Sequence, residues 1–337
     1  MTVERPKFLN SELETIHPNP DWEGAFTNGN GRFINQHEPF KTSFGMLLKW
    51  QLFSRNPQKE QKENDNRRLP FVEHPEIFSR KDNAIIWLGH ASFLIRLGGK
   101  TLLTDPVFFE SIFLNRHVPL PFDPDTIANV DYILLSHDHR DHCDKRTLQF
   151  ITKKCPDVQI LTGLKLEELI RPWLSGNHVQ EAAWYQKYDL VEDFEIIYVP
   201  SRHWSKRGLT DERKRLWGGF MIRYRGKQIY FMSDSGYGRH FADIKEICGA
   251  PDYALMGIGA YKPEWFMQYS HISPTDAIRA YQDLGARRFI PMHYGTFDLS
   301  DEPLLDPIDV LKKQKPDGLR PLAVGEPMLL TFGKASP

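Results

Sequence analysis

The sequence has few cysteines and no long apolar run, and each of these absences excludes some classes of protein. Its 337 residues include three cysteines, Cys143, Cys155 and Cys248, which form no Cys-x-x-Cys pair. Neither a disulfide framework nor a cysteine zinc site is therefore indicated. No run approaches the roughly 20 apolar residues that span a bilayer, and the N-terminus lacks the apolar segment of a secretory signal. We expect a cytoplasmic protein without a transmembrane segment.

The sequence also lacks an excess of either charge. Its formal net charge is -1 at pH 7, with 26% charged and 40% hydrophobic residues. This balance gives no general attraction to nucleic acid, so we expect no nucleic-acid partner. The composition is that of a globular protein with enough apolar material for a core.

Residues 1–80 differ from the rest in being rich in Asn, Pro, Gln and charge. We predict an N-terminal extension packed on a main domain of residues 81–337. Within the extension, residues 58–66 are predicted to form an exposed loop. Residues 43–53 are apolar and aromatic with one lysine, and we favour a helix packed on the domain. A helix lying on a membrane surface remains the alternative.

From residue 84 onward, short apolar runs separated by turn residues predict closely spaced strands. They cover 84–88, 92–97, 100–104, 132–135, 195–199, 220–224, 228–232, 253–258 and 288–291. Helices are predicted at 145–154, 165–174 and 275–284. Ser273 and Pro274 are typical of the start of the last helix, and Gly285 of its end. Strands with interspersed helices favour packed sheets whose outer faces are covered by helices.

The strongest functional motif follows the predicted strand 132–135. His137, His139, Asp141 and His142 form the pattern His-x-His-x-Asp-His directly after that strand. Imidazole and carboxylate groups are the ligands that zinc and similar divalent metals accept. A cluster this dense cannot consist of core residues alone, so the motif predicts a metal site. Cys143 adjoins the motif, and we interpret it as a bystander.

Three later strand ends carry side chains of the same kind. His203 follows the strand 195–199, Asp234 follows 228–232, and His293 follows 288–291. Each of these residues alone is weak support for a metal site. Four separate strand ends therefore carry side chains of the kind that bind metals. Together they predict a site with more ligands than one ion needs.

This arrangement resembles the metallo-β-lactamase superfamily. More closely, the chain is similar to the group of N-acyl-phosphatidylethanolamine-hydrolysing phospholipases D and their bacterial relatives, over roughly residues 84–300. The segments that carry the closer resemblance are Trp87–His90, Leu103–Pro106, His203–Trp204 with Lys206–Arg207, Asp234–Tyr237, Ile258–Tyr261, Trp265–His271 and His293–Phe297.

The resemblance implies an α/β (α+β) fold, a four-layer αββα sandwich with two divalent metal ions at one edge. It implies zinc as the favoured metal, with iron or manganese as alternatives. One ion would be bound by His137, His139 and His203, and the other by Asp141, His142 and His293. Asp234 would bridge both ions.

The resemblance further implies a phosphodiesterase of phospholipase D type. Asp141, Asp234 and His271 are the candidate catalytic residues, and His90 and Asp105 are expected to orient ligands. The candidate substrate-binding residues are Trp204, Tyr261, Gln268 and His271. An apolar rim of Trp204, Tyr261, Trp265, Phe266 and Met267 would suit a lipid or other acylated substrate. Peripheral membrane contact and a homodimer are left open.

Three alternatives remain at this point. The first keeps the fold and replaces the substrate by a lactone or another ester or phosphodiester of a small metabolite. The second is an amidohydrolase barrel, which the absence of a regular β/α alternation disfavours. The third is a structural metal site in a protein that is not an enzyme. A structural zinc site normally has four ligands, and seven candidates exceed that need.

We predict that His139→Ala abolishes metal-dependent turnover and leaves the fold largely intact, because it removes a ligand and no core side chain. Activity assays with circular dichroism on the same sample test this. Turnover like that of the wild type would remove His139 from the ligand set.

Overall fold

The computed structural model describes residues 7–38, 45–46, 49–112, 114–190 and 193–331. The strands in this part of the chain are β1 (Lys7–Phe8), β2 (Glu14–Thr15), β3 (Ala25–Phe26), β4 (Ala84–Gly89), β5 (Ser92–Leu97), β6 (Lys100–Thr104), β7 (Tyr132–Leu135), β8 (Gln159–Gly163), β9 (Val179–Ala182), β10 (Gln186–Lys187), β11 (Phe194–Val199), β12 (Gly219–Tyr224), β13 (Lys227–Phe231), β14 (Tyr253–Gly257), β15 (Arg288–Met292) and β16 (Pro327–Leu329).

The helices of the described residues lie mostly between these strands. They are α1 (Lys59–Asn64), α2 (Lys145–Lys154), α3 (Glu167–Ile170), α4 (His240–Cys248), α5 (Glu264–Met267), α6 (Pro274–Leu284) and α7 (Asp306–Gln314). A π-helical turn covers Lys49–Phe53, and 3-10 turns cover Pro124–Thr126 and Arg171–Trp173. None of the described helices is both long and apolar enough to traverse a membrane.

Two seven-stranded mixed sheets form the centre of the protein. The first has the order β16-β4-β5-β6-β7-β8-β9, and the second has the order β15-β14-β13-β12-β11-β10-β2. Strands β6 to β9 are parallel in the first sheet, and β13 to β15 are parallel in the second. Parallel strands end at a common edge, so the segments that follow them meet there, where open α/β sheets usually bind ligands.

The apolar core explains the layered arrangement. Side chains of both sheets, such as Trp87 of β4 and Phe231 of β13, belong to one buried cluster that also includes Phe241 of α4 and Leu284 of α6. A second cluster packs α2, through residues such as Leu148, on the other face of the first sheet. Helices therefore cover the outer faces of two packed sheets, and the αββα sandwich is confirmed.

The predicted strands are all present, with ends that agree within one residue. The helix prediction for 145–154 is confirmed, as is the helix that begins after Ser273. The hydroxyl of Ser273 accepts a hydrogen bond from the amide of Asp276, and Gly285 ends the helix with φ of 66°. The left-handed backbone at that position favours glycine because it has no Cβ.

Two predictions for local structure are wrong. Residues 165–174 form only the four-residue α3 and a 3-10 turn, since Pro172 has no amide hydrogen to continue the helix. Residues 58–66 contain α1 instead of a loop. Its Lys, Glu and Gln residues are strong helix formers, and Lys59 and Glu63 form an i,i+4 ion pair of 3.7 Å.

The segment 43–53 lies partly outside the described residues, which omit 43, 44, 47 and 48. Within Lys49–Phe53, the ring of Trp50 lies 5.4 Å from that of Phe266 in α5. The indole of Trp50 also donates a hydrogen bond of 3.1 Å to Asp301. Leu52 and Phe53 are exposed instead. One side of this turn therefore packs on the protein, and its other side faces solvent.

The N-terminal residues contact both sheets at several points. β2 is the edge strand of the second sheet, with Thr15 paired to Gln186 of β10. β1 and β3 form a separate two-stranded ribbon. Ala25 and Phe33 are fully buried in the core cluster that the two sheets share. The division at residue 80 remains a prediction.

Candidate metal centre

The segment after β7 turns sharply and thereby presents its polar side chains in two directions. The carbonyl of His139 accepts hydrogen bonds from the amides of His142 and Cys143, at 3.2 and 2.8 Å. Asp144 then caps α2 by accepting a hydrogen bond from the amide of Thr147. The turn between strand and helix therefore places His137 and His139 on one side and Asp141 and His142 on the other.

Three histidine rings converge at the first side of this turn. Nε2 of His137 lies 2.9 Å from Nδ1 of His139, and Nε2 of His203 lies 3.1 Å from the same atom. Asp234 completes the group, in which one ligand atom of each residue lies within 4.8 Å of all the others. The arrangement offers three nitrogens and one carboxylate oxygen to a single ion.

A second group lies beside the first. Nε2 of His142 is 3.3 Å from Nε2 of His293 and 3.3 Å from Oδ2 of Asp141. His90, Asp141, His142 and His293 together form the second set of residues that could hold an ion. Both sets consist of imidazole and carboxylate groups, which suit zinc, iron or manganese.

Asp234 lies between the two groups. Its Oδ1 is 2.9 Å from Nε2 of His293, and its Oδ2 is 3.2 Å from Nε2 of His142. Oδ2 is also 3.6 Å from Nε2 of His203 and 3.9 Å from Nε2 of His137. One carboxylate therefore faces the donor nitrogens of both groups.

Hydrogen bonds to the opposite ring nitrogens fix the direction of the lone pairs. Nδ1 of His203 lies 2.9 Å from the carbonyl oxygen of Ser270, which can only accept, so Nδ1 carries the hydrogen. Nδ1 of His142 lies 2.8 Å from Oδ2 of Asp105. When these rings are neutral, as metal ligands must be, Nε2 of each presents its lone pair to the cluster. These residues fit a metal centre in both ligand type and tautomer.

Asp105 holds several parts of the cluster together. It is fully buried, and its carboxylate accepts hydrogen bonds from the amide and hydroxyl of Ser136, at 2.8 and 2.6 Å. It also accepts from His142 and, at 3.3 Å, from the hydroxyl of Ser233. Because the hydroxyl of Ser136 donates to Asp105, its oxygen can accept from Nδ1 of His137, 2.8 Å away. Asp105 therefore orients two histidines, in agreement with its predicted supporting role.

The backbone is left-handed at four points around the cluster. His90, Asp105, Ser233 and His293 have φ of 54°, 33°, 58° and 60°, and each comes one or two residues after a strand. Non-glycine residues rarely adopt such values, which cost free energy and concentrate at functional sites. Gly259 permits the last of these bends, since a Cβ there would lie 2.1 Å from the carbonyl oxygen of His293.

His90 lies directly beside the cluster, closer than we expected for a residue that only orients the ligands. Its Nε2 is 3.0 Å from Oδ2 of Asp141, and its ring is 3.9 Å from the ring of His293. Burial, together with the charge of His293, lowers the pKa of His90 to about 3. A neutral ring that donates a hydrogen bond to Asp141 is consistent with orienting that carboxylate.

The charges within the cluster are strongly coupled. Burial disfavours charge on every group, yet the neighbouring Asp234 and Asp141 raise the pKa of His142 well above its usual value. The same pairing raises the pKa of His293 to about 9. The pKa values of Asp141 and Asp234 are held well below normal by these histidines. The carboxylates are therefore anionic at neutral pH, as metal ligands must be, whereas His142 and His293 hold a proton that a bound metal ion would have to displace.

His271 lies at the margin of the cluster. Its Nδ1 is 3.8 Å from Oδ2 of Asp234, and its ring is 5.3 Å from that of His203. Its side chain keeps 18% of its surface exposed. Burial lowers its pKa to about 4. The ring is neutral at pH 7 and reaches both the cluster and the solvent.

The candidate substrate-binding residues lie in different environments. The ring of Trp204 is 4.9 Å from that of His139 and is partly exposed, so it adjoins the cluster. The hydroxyl of Tyr261 donates a hydrogen bond to Asp306 in α7, so its donor hydrogen is already used within the protein. Gln268 is exposed at the end of α5.

The remaining residues of the predicted apolar rim lie on α5. Met267 is buried, and Trp265 and Phe266 are partly buried. Lys49 lies over the ring of Trp265, 5.1 Å from its centroid, so the N-terminal segment covers part of this helix. Contacts with a substrate by these residues and by Tyr261 and Gln268 remain predictions.

Ser136 and Ser233 are two polar residues beside the cluster that the sequence did not single out as functional. The one hydroxyl hydrogen of Ser233 is shared between the hydroxyl oxygen of Ser136, at 2.6 Å, and the more distant Asp105, at 3.3 Å. The sequence feature that could have identified them is their position immediately before His137 and Asp234. Cys143 is buried in the apolar cluster beneath α2, and burial raises its pKa to about 12, so its thiol remains protonated.

Comparison with known proteins points to the same chemistry. A family model described as the beta-lactamase superfamily domain matches residues 100–294. The N-acyl-phosphatidylethanolamine-hydrolyzing phospholipase D 1 of Caenorhabditis elegans is 33% identical over 67% of this chain and 68% of that protein. The mitochondrial protein of the same name from Saccharomyces cerevisiae is 32% identical over 67% of this chain and 50% of its own length. The chain thus spans half to about two thirds of these relatives.

Solved structures with the same fold include proteins of different activity. A metallo hydrolase from Ignicoccus hospitalis matches with a TM-score of 0.57 and 20% identity, over 74% of this chain and 99% of that one. The diiron β-hydroxylase CmlA from Streptomyces venezuelae matches with a TM-score of 0.57 and 19% identity, over 74% of this chain and 55% of that one. At this identity the likeness concerns the fold.

We predict that Asp105→Asn weakens metal binding by about 10–100-fold, because an amide cannot accept every hydrogen bond that orients His142 and Ser136. Competition with a chelator, followed by metal analysis, measures this affinity. Asp131→Asn is the matched control, since Asp131 pairs with Lys100 away from the cluster. Equal metal affinity in wild type and Asp105→Asn would contradict the role of Asp105.

Proposed function

This chain belongs to the metallo-β-lactamase superfamily and is one of its metal-dependent hydrolases, and from that premise we propose that it is a binuclear phosphodiesterase of phospholipase D type. Its substrate is an N-acyl-phosphatidylethanolamine or a similar lipid, and its metals are two divalent ions, with zinc favoured over iron or manganese. A cytoplasmic location remains a prediction.

The observation that carries the binuclear proposal is the position of Asp234. Its two oxygens face His142 and His293 on one side, at 3.2 and 2.9 Å, and His203 on the other, at 3.6 Å. A carboxylate shared by two ligand groups is what a pair of ions about 3.5–4 Å apart requires. A structural site that holds a single ion normally has four ligands, so it would not require both groups.

The proposed reaction adds water to phosphorus and breaks the phosphorus–oxygen bond to the N-acylethanolamine, leaving a phosphatidic acid. The two ions at such a centre lower the pKa of water and neutralise charge on the phosphate. Asp141 and Asp234 lie beside both ligand groups as carboxylates, so they orient the attacking water and accept its proton.

His271 contributes at the exposed side of the cluster. Its ring is neutral at pH 7, since burial lowers its pKa to about 4. A neutral imidazole donates a hydrogen bond to a phosphate oxygen; to protonate the leaving alkoxide, His271 would first have to take up the proton that Asp141 or Asp234 removes from the attacking water. Trp204 adjoins the first ligand group, and it provides an apolar surface for the acyl part of the substrate.

The names of the curated relatives support the choice of a lipid substrate over a lactone. A feature of this chain supports it as well. Several large apolar side chains are highly exposed: Ile112 is 88% exposed, Leu209 96% and Phe53 80%. We propose that they contact the membrane surface that presents the substrate.

Hydrogen bonds connect the loops of Ile112 and Leu209 to segments of the cluster. The loop of Ile112 is fixed by Arg116, which donates to the carbonyl of Leu88, two residues before His90. The loop of Leu209 is fixed by the amide of Lys206, which donates to Asp138 in the His-x-His-x-Asp-His motif. A membrane bound by these loops would lie at the edge of the sheets that carries the cluster.

We expect the purified, zinc-loaded protein to hydrolyse N-acyl-phosphatidylethanolamine faster than a lactone of similar chain length. Mass spectrometry should detect N-acylethanolamine and phosphatidic acid. Chelation should abolish turnover, and zinc should restore it. His271→Gln should lower kcat by about 100-fold, within the range for loss of a general acid, with both metal equivalents retained. Hydrolysis of the lactone alone would replace the proposed substrate and leave the metal centre intact.

We expect the double variant Ile112→Asp and Leu209→Asp to lose most binding to vesicles of phosphatidylcholine with anionic phosphatidylglycerol, measured by sedimentation. Hydrolysis of a substrate dispersed in detergent micelles should change little. Leu329→Asp is the matched control, since Leu329 is 58% exposed on β16 and pairs with Ala84 at the start of β4, the end opposite His90. Unchanged vesicle binding in the double variant would contradict the proposed membrane contact.

A further inference from the structure

The segment of residues 25–38, which we call the strap, crosses the loop that carries His203. The amide of Phe33 donates to the carbonyl of Arg213 at 2.8 Å, and that of Ile34 donates to Phe26 at 3.0 Å. Phe33 is fully buried in the core cluster shared by the two sheets. The strap is therefore fixed both to the core and to the loop between β11 and β12.

Asn35 of the strap contacts this loop at two points. Its Oδ1 accepts a hydrogen bond of 3.1 Å from the amide of His203, and it shares the indole N–H of Trp217, also 3.1 Å away, with the carbonyl oxygen of Ser201. Both partners are N–H donors, so the side-chain oxygen, and not the NH₂ group, must face them. Asn35 is 5% exposed. Little water can therefore reach this position to replace the side-chain oxygen of Asn35 as the acceptor.

His203 needs support from outside its own segment. It lies in the irregular segment between β11 and β12, where no strand ladder pairs its amide. A buried amide without an acceptor loses its hydrogen bond to water with nothing to replace it. On its other side, Arg202 is tied to the loop of Asp234: its amide donates to Ser235 at 3.0 Å, and its carbonyl accepts from Gly236 at 2.8 Å.

We propose that Asn35 is a positioning residue of the metal centre, which fixes His203 relative to Asp234 through the backbone. The inference rests on the proposed binuclear site. Asn35 holds the backbone of His203, and the carbonyl of Ser270 holds its ring at 2.9 Å. Together they aim Nε2 at the first ligand group. The N-terminal extension thereby contributes to the metal centre as well as to the core.

The second ligand group is fixed without the strap. The amide of His293 donates to the carbonyl of His90 at 3.1 Å, and His142 is held by Asp105. Loss of the acceptor at Asn35 should therefore weaken one metal equivalent and spare the other. A general loosening of the fold would weaken both.

The test compares Asn35→Leu, Asn35→Asp and Phe33→Leu with the wild type. Leucine has nearly the shape of asparagine but no acceptor, and aspartate keeps the oxygen. Phe33→Leu loosens the strap without touching His203. Zinc-loaded protein is titrated with a competing chelator, and retained zinc is measured by elemental analysis. Thermal unfolding is recorded for each variant.

We expect Asn35→Leu to lose one of its two zinc equivalents at a chelator concentration about 10–100-fold lower than the wild type requires. Asn35→Asp should retain both equivalents. Phe33→Leu should unfold at a lower temperature with both equivalents retained. Wild-type zinc retention in Asn35→Leu, or equal loss in Asn35→Asp or Phe33→Leu, would overturn the inference. Should Asn35→Leu not fold, Asn35→Ala removes the same acceptor. A wild type without zinc would instead refute the proposed metal centre.

Discussion

The carboxylate of Asp105 is fully buried at the edge where the parallel strands end, and it accepts hydrogen bonds from Ser136, His142 and Ser233. These donors belong to segments that follow two strands of different sheets. One buried carboxyl group therefore couples the His-x-His-x-Asp-His segment of the first sheet to the Asp234 segment of the second. Burial of Asp105 is tolerated because several donors compensate for the lost solvation.

The site depends on backbone conformations that few residues adopt freely. His90, Asp105, Ser233 and His293 all have left-handed φ values immediately beyond a strand. Each bend turns a side chain or a hydrogen-bonding group toward the cluster instead of along the strand. Their free-energy cost is offset by packing of the sheets and by the hydrogen bonds that each bend permits. The rigid sandwich beneath the site makes this arrangement possible.

Much of the fold was predictable because its strands are apolar and punctuated by turn residues. The runs from 84 to 104 and from 219 to 231 are hairpins whose turns contain Gly98–Gly99 and Arg225–Gly226, all with positive φ. Weaker elements escaped prediction. β2 has two residues and exists through pairing with β10. α3 ended early because Pro172 interrupts an otherwise helical pattern.

The sequence by itself determined the types of the metal-ligating groups and their positions after strands, since both follow from local pattern. The tertiary structure alone decided which groups meet. Asp234 faces donor atoms of two sets of histidines, and Asn35 reaches the amide of His203 across 168 positions of chain. Such contacts depend on how the two sheets and the strap pack together. No local pattern encodes them, because a side chain's distant partners are set by the packing of the whole core.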